Sequence, residues 1–88
     1  MEKATDKKYV IIEDSENNFI DATRVVGVIA FNSSPARKLK KGASSSGRLI
    51  DATQGKRTKS LIFTDSGHVW QTNFDRDIML DRLKNALI

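Results

Sequence analysis

Short β-branched runs separated by polar turns fill most of the chain, and apolar residues at helical spacing close it. Tyr9-Val10-Ile11-Ile12 is bounded by lysines and by the polar cluster Glu13 to Asn18, which predicts a strand followed by a turn. Arg24 to Phe31 reads as a second strand. Its apolar residues occupy both parities, as in a strand covered on two faces or buried in an interface, and Gly27 marks a close backbone approach. Ser33-Ser34-Pro35 then opens a weak, short, basic helix. Ala36, Leu39 and Ala43 form its narrow apolar stripe, its outer face carries Arg37, Lys38, Lys40 and Lys41, and Gly47 ends it.

Arg48 to Thr53 and Lys59 to Thr64 read as two strands joined through Gln54-Gly55-Lys56-Arg57, with Gly55 at a position of positive φ. Asp65-Ser66-Gly67 is a tight turn ahead of a strand from His68 to Thr72, which completes a meander. From Asp75 onward Ile78, Met79, Leu80, Leu83, Ala86 and Leu87 predict an amphipathic helix, with Asp75 and Asp77 near its positive end. The expected fold is α+β: a small antiparallel β-sheet meander with one short basic helix and a C-terminal amphipathic helix. Residues 1–8 form a polar tail and residues 9–88 a single domain. Ile20-Asp21-Ala22-Thr23 recurs as Ile50-Asp51-Ala52-Thr53, a match too short for a solenoid that reads as coincidence.

Composition narrows the chemistry. An 88-residue chain with no cysteine and one histidine has no thiolate metal site, disulfide staple or histidine cluster, so no metal or cofactor is expected. No run approaches the roughly 20 apolar residues of a membrane span, and the polar N-terminus lacks a signal-peptide core, which places the chain in the cytoplasm. A domain this small leaves much surface unburied, which favours self-association.

Charge is more informative than its net value of +4. Residues 24–60 hold nine Lys/Arg (Arg24, Arg37, Lys38, Lys40, Lys41, Arg48, Lys56, Arg57 and Lys59) against the single acid Asp51, while both flanks are net acidic. That segregation suits a polyanion-binding face, a solvated basic surface being the plain alternative. Gly55-Lys56-Arg57-Thr58 is not a nucleotide-binding loop, because no helix follows it. Asp21 and Asp51 are better placed as turn or cap acceptors than as paired catalytic carboxylates, His68 as a strand-end residue, and Trp70 as core or interface. No catalytic residues and no small-molecule substrate are expected.

Arg24-Val25, Ser34-Pro35, Gly47 to Thr53 (GRLIDAT), Gly55 to Lys59 (GKRTK), Asp65-Ser66, His68-Val69 and Arg82-Leu83 carry a resemblance. Over Thr23 to about Leu83 the chain resembles, without a gap, the RemA family of small bacterial extracellular matrix regulators. The resemblance implies a DNA-binding transcriptional regulator without a helix-turn-helix. It implies a closed homo-oligomeric ring around which double-stranded DNA wraps in the nucleoid, with biofilm matrix operons as family targets. It assigns DNA contacts to Arg24, Lys56 and Arg57, with Arg48 and Lys59 as further candidates, and a structural role to Pro35 beside that of Gly55. Lys56 stands where the family has an arginine, which keeps the charge and loses the bidentate fork. The competing reading is an oligomeric structural module whose basic face docks an acidic protein. RNA is disfavoured for want of a stacking platform.

Overall fold

Ser33 turns the chain into its first helix. Its extended backbone and its Oγ, which accepts the Ala36 N–H at 3.2 Å, cap α1 (Ser34–Ser45), and Pro35 pre-sets a helical φ in the first turn. The computed structural model describes residues 8–88, so the polar tail expected over residues 1–8 lies, but for Lys8, outside the described residues. In chain order these form β1 (Tyr9–Ile11), β2 (Phe19–Asp21), a 3-10 turn (Ala22–Arg24), β3 (Val25–Ala30), α1, β4 (Leu49–Asp51), β5 (Ser60–Thr64), β6 (Val69–Thr72) and α2 (Arg76–Leu87).

The architecture is α+β, with one departure from the expected meander. β5 and β6 form the hairpin read from Asp65-Ser66-Gly67, with Gly67 at φ +85°, and β3 pairs antiparallel with the other edge of β5. The sheet order is therefore β3-β5-β6-β4, and β4 lies parallel to β6 with Leu49 opposite Val69. β4 does not pair with β5. Both edges of β5 are occupied, and β4 is cut short at Asp51, so residues 52–59 form a connecting loop and not a hairpin tip. β1 and β2 make a separate two-stranded ribbon. β2 is a strand that sequence pattern does not reveal, because Phe19 and Ile20 are its only apolar residues and polar residues stand on either side of them.

The sheet separates two cores. On one side Leu61 and Val69 pack under Ala36 and Ala43 of α1, with Ile29, Leu39, Leu49 and Phe63 at the margin. On the other Ile62 meets Met79 and Leu83 of α2 and Val10, Ile12 and Ile20 of the ribbon. Alternation along β5 explains the division, since successive side chains point to opposite faces. α2 is capped by Asp75, whose Oδ1 accepts the Ile78 N–H at 3.0 Å, and Asp77 and Lys84 complement its dipole at the two ends. Its apolar band is wider than this core needs: Ile78, Leu80 and Leu87 remain exposed, as do Tyr9, Phe19 and Val26.

The Asp-Ala-Thr repeat has a structural meaning. Asp21 Oδ1 accepts the Thr23 N–H at 3.0 Å and the Thr23 hydroxyl at 2.6 Å, and Asp51 Oδ1 does the same for Thr53 at 2.9 and 2.6 Å. Each copy ends a strand with the same turn, and each buries its alanine in the same core. Both aspartates thus act as turn acceptors. The bonds from the Thr53 hydroxyl and N–H hold the Asp51 carboxyl below its ordinary pKa.

Gly27 is a close approach of the expected kind. The Phe63 ring lies over it, so that a Cβ at this position would sit 2.6 Å from Phe63 Cζ. Gly27→Ala is expected to displace the ring and cost about 1–3 kcal/mol, measurable by urea denaturation. An unchanged midpoint would mean that the ring yields freely.

Candidate nucleic-acid interface

Residues 53–56 place the loop cations. Gln54 and Gly55 both have positive φ, +58° and +81°, and the Lys56 N–H returns to the Thr53 carbonyl at 3.1 Å, the pattern of a type I′ turn. Thr53 is buried and anchors the turn to the core, while residues 54 to 57 stand in solvent. The Lys56 Nζ lies 2.6 Å from the Asp14 Oδ2 on the loop between β1 and β2, in an exposed ion pair. The bond from Lys56 lowers the Asp14 carboxyl below its ordinary pKa.

Asp14 is presented by a buried acid, Glu13, that in sequence is indistinguishable from the rest of its polar turn. The Glu13 carboxylate accepts the N–H groups of Ser15, Asn17 and Asn18 at 2.6, 3.0 and 2.8 Å, the Asn18 Nδ2 at 2.7 Å, and the Ser15 hydroxyl. The Ser15 hydroxyl bond, with those of Asn18 and the backbone, drives its pKa from the ordinary 4.5 to about 2, against the opposing effect of burial. No local motif announces this, because the acceptor geometry arises only once the loop has closed.

Arg57 and Lys59 stand without an ion pair among the described residues. They line a cleft of about 580 Å³ that also contains Phe31, Thr58, Asp75, Arg76 and Asp77. Both acids of this cleft are engaged, Asp75 as the cap of α2 and Asp77 with Arg76 at 2.9 Å. The loop cations are therefore left to face solvent.

Arg24 and Arg48 belong to a different place. The Arg24 Nε donates to Asp65 Oδ1 at 2.9 Å, and the Asp65 N–H returns to the Arg24 carbonyl at 3.0 Å. Arg48 Nη1 donates to the Ser66 carbonyl at 3.1 Å, with its guanidinium packed over Gly67. Both arginines thus dock on the β5–β6 turn. The loop of Lys56, Arg57 and Lys59 enters β5 at its opposite end, so the two groups are separated by more than the strand's own length, which is about 14 Å at 3.4 Å per residue. The five cations that sequence reading treats together form two clusters at the two ends of the sheet. Pro35 and Gly55 occupy the structural positions expected of them, in the first turn of α1 and at positive φ in the loop.

The chain is a small α+β protein that displays exposed cations on its turns and on one helix. Its family is identifiable: the model of RemA-like proteins, described as extracellular matrix regulatory protein A-like, matches residues 11–83, and the chain belongs to that family. Its relatives are proteins named for an inferred regulatory role. One from Nitratidesulfovibrio vulgaris strain Miyazaki F is 54% identical over 52 residues, 59% of each chain. One from Maridesulfovibrio salexigens is 43% identical over 63 residues, 72% of this chain and 73% of the relative. One from Pseudothermotoga lettingae is 32% identical over 80 residues, 91% of this chain and 88% of the relative. The chain spans less than two thirds of the length of the Nitratidesulfovibrio relative. The regulatory character of the family points away from catalysis. Among the described residues no helix is long and apolar enough to cross a membrane.

Proposed function

We propose that this chain is a DNA-binding transcriptional regulator without a helix-turn-helix, acting as a ring-shaped homo-oligomer that holds and wraps duplex DNA through its phosphates. The observation that carries the reading is the pair of exposed cations, Arg57 and Lys59, in an open cleft whose acids are already engaged. Arg24 and Arg48 add a second set of contacts at the far end of the sheet, and Lys56 exchanges Asp14 for phosphate. Two basic ends more than about 14 Å apart make a subunit that engages a backbone at two points. One subunit binds weakly, and repetition around a ring converts weak contacts into avidity. The exposed Ile78, Leu80 and Leu87 of α2, with Tyr9, Phe19 and Val26, supply apolar surface for the subunit contacts.

Contacts to phosphate carry no base code, so sequence preference arises from bendability and spacing. Biofilm matrix or related genes are the targets that the family's name suggests, and the nucleoid is the place of action.

Mass measurement of the purified protein with and without a long duplex tests the reading, together with affinity as a function of salt. The expected results are a closed oligomer, a complex with DNA, and a log-log salt slope of about −0.9 per phosphate engaged. A monomer, or an oligomer without DNA affinity at low salt, would overturn it and favour docking to an acidic protein.

A further inference from the structure

The basic face of α1 has no part in the contacts assigned above. From Ala22 to Ile50 the chain contains no Asp or Glu, and α1 within that stretch carries Arg37, Lys38, Lys40 and Lys41. None of these cations lies within ion-pair distance of an acid among the described residues, although Lys40 is close enough to act electrostatically on Asp51. Lys40 lies over the Phe31 ring, 5.0 Å from its centroid, while Arg37, Lys38 and Lys41 are exposed. The apolar side of the helix, at Ala36 and Ala43, is fully used against the sheet, so the outer face has no buried role.

A groove of about 420 Å³ runs beside this helix, lined by Phe31, Arg37, Lys40, Lys41, Ser44 and Ser45. Arg37, Lys41 and Ser44 or Ser45 follow the i, i+4, i+7/i+8 spacing that aligns side chains on one helical face. Cations followed along the helix by hydroxyls, with no carboxylate lining the groove, are the side chains that contact phosphate oxygens. Phe31 also lines the cleft of Arg57 and Lys59, so the two basic grooves meet at one aromatic ring. α1 begins at that ring's end of the sheet and delivers the chain through Gly47 to Arg48, which docks on the β5–β6 turn. The helix, about 18 Å long at 1.5 Å per residue, therefore spans the gap between the two cation clusters.

We infer that the α1 groove is a further phosphate-binding segment for duplex DNA, continuing the path from Arg57 and Lys59 across Phe31 and along Arg37, Lys41, Ser44 and Ser45 toward Arg48. The inference rests on the DNA-binding reading and adds a surface to it. Charge complementarity selects the occupant. The exposed residues of α1 are polar apart from Pro35 and Gly42, whereas the exposed apolar side chains suited to a second copy lie on β1, β2, β3 and α2.

The double variant Arg37→Gln/Lys41→Gln tests it. Both positions are exposed in a helix that tolerates glutamine well, so melting and oligomer mass stay at wild type. Against duplex DNA the salt slope becomes shallower by about 1.8 for each subunit engaged, the value of two lost phosphates, and affinity at moderate salt falls by about 10-fold or more. Ser44→Glu, which places a negative charge in the groove without removing a cation, is expected to weaken binding in the same direction. Wild-type slope and affinity in both variants, with Arg57→Glu inactive, would overturn the α1 path and leave the DNA reading intact. Wild-type protein that binds no duplex would overturn both.

Discussion

A chain carrying Arg57→Glu is expected to assemble and melt as the wild type does, yet to leave duplex DNA unretarded at concentrations where the wild type shifts it fully. The reason lies in what surrounds the residue. Arg57 is exposed on a loop anchored by the buried Thr53, and among the described residues no acid pairs with it. Its charge is therefore exposed to solvent, and reversing it breaks no ion pair and costs little stability. Arg24 and Lys56 differ, since Asp65 at 2.9 Å and Asp14 at 2.6 Å already answer them and must be given up on binding. Reversal at Arg57 replaces an attraction by a repulsion in every subunit at once, so the loss of affinity is on the order of 100-fold or more. Gel retardation with light scattering on the same samples decides it. Normal retardation, or an oligomer that falls apart, would remove Arg57 from the proposed contact surface.

The second large effect is structural and begins at Glu13. Removing its carboxylate in Glu13→Ala leaves the N–H groups of Ser15, Asn17 and Asn18 without their acceptor inside a closed loop. Glu16, at φ +61°, is held in the left-handed region by the same closure. The expected result at neutral pH is a fall in Tm on the order of 10 °C, since several charge-assisted bonds are lost together. Acid should reproduce the effect in the wild type. The folded carboxyl has a pKa of about 2 against an ordinary 4.5, so its contribution is complete above pH 4.5 and is lost as pH falls through about 2. Thermal melts between pH 7 and pH 2 should show wild type and Glu13→Gln converging in acid. Equal melting at pH 7 would mean that the loop closes without the acid. The functional consequence concerns Lys56, whose partner Asp14 is held by this loop.

Much of this arrangement is legible in sequence because it is written locally. Ser33 and Pro35 announce the start of α1, Gly47 its end, Asp75 the cap of α2, and Asp65-Ser66-Gly67 the β5–β6 hairpin. What is illegible depends on distant partners. β2 offers only Phe19 and Ile20 between polar neighbours, too small an apolar run to read as a strand. The parallel placement of β4 follows from β3 and β6 having taken both edges of β5, a competition that no window of sequence contains. The charge map picks out the cations of the central stretch, yet it merges Arg24 and Arg48 with the loop cations, because only the direction of β5 puts them at opposite ends. The acids that pair with Arg24 and Lys56 lie 41 and 42 residues away in sequence. The Asp-Ala-Thr repeat looks accidental for a related reason, since its two copies share a turn and a core but no longer pattern.

The irregularity at Val26 bears on how such subunits avoid sticking together in the wrong way. β3 is one border of the four-stranded sheet, and its pairing with β5 slips between Val25 and Gly27, so that Val26 bulges outward. The opposite border, β4, is only three residues long. Neither offers the long flat ladder of free amides and carbonyls on which foreign strands stack. Runaway fibre growth by backbone zippering is thereby discouraged at both borders, which leaves side chains rather than bare backbone as the means by which one copy could meet another.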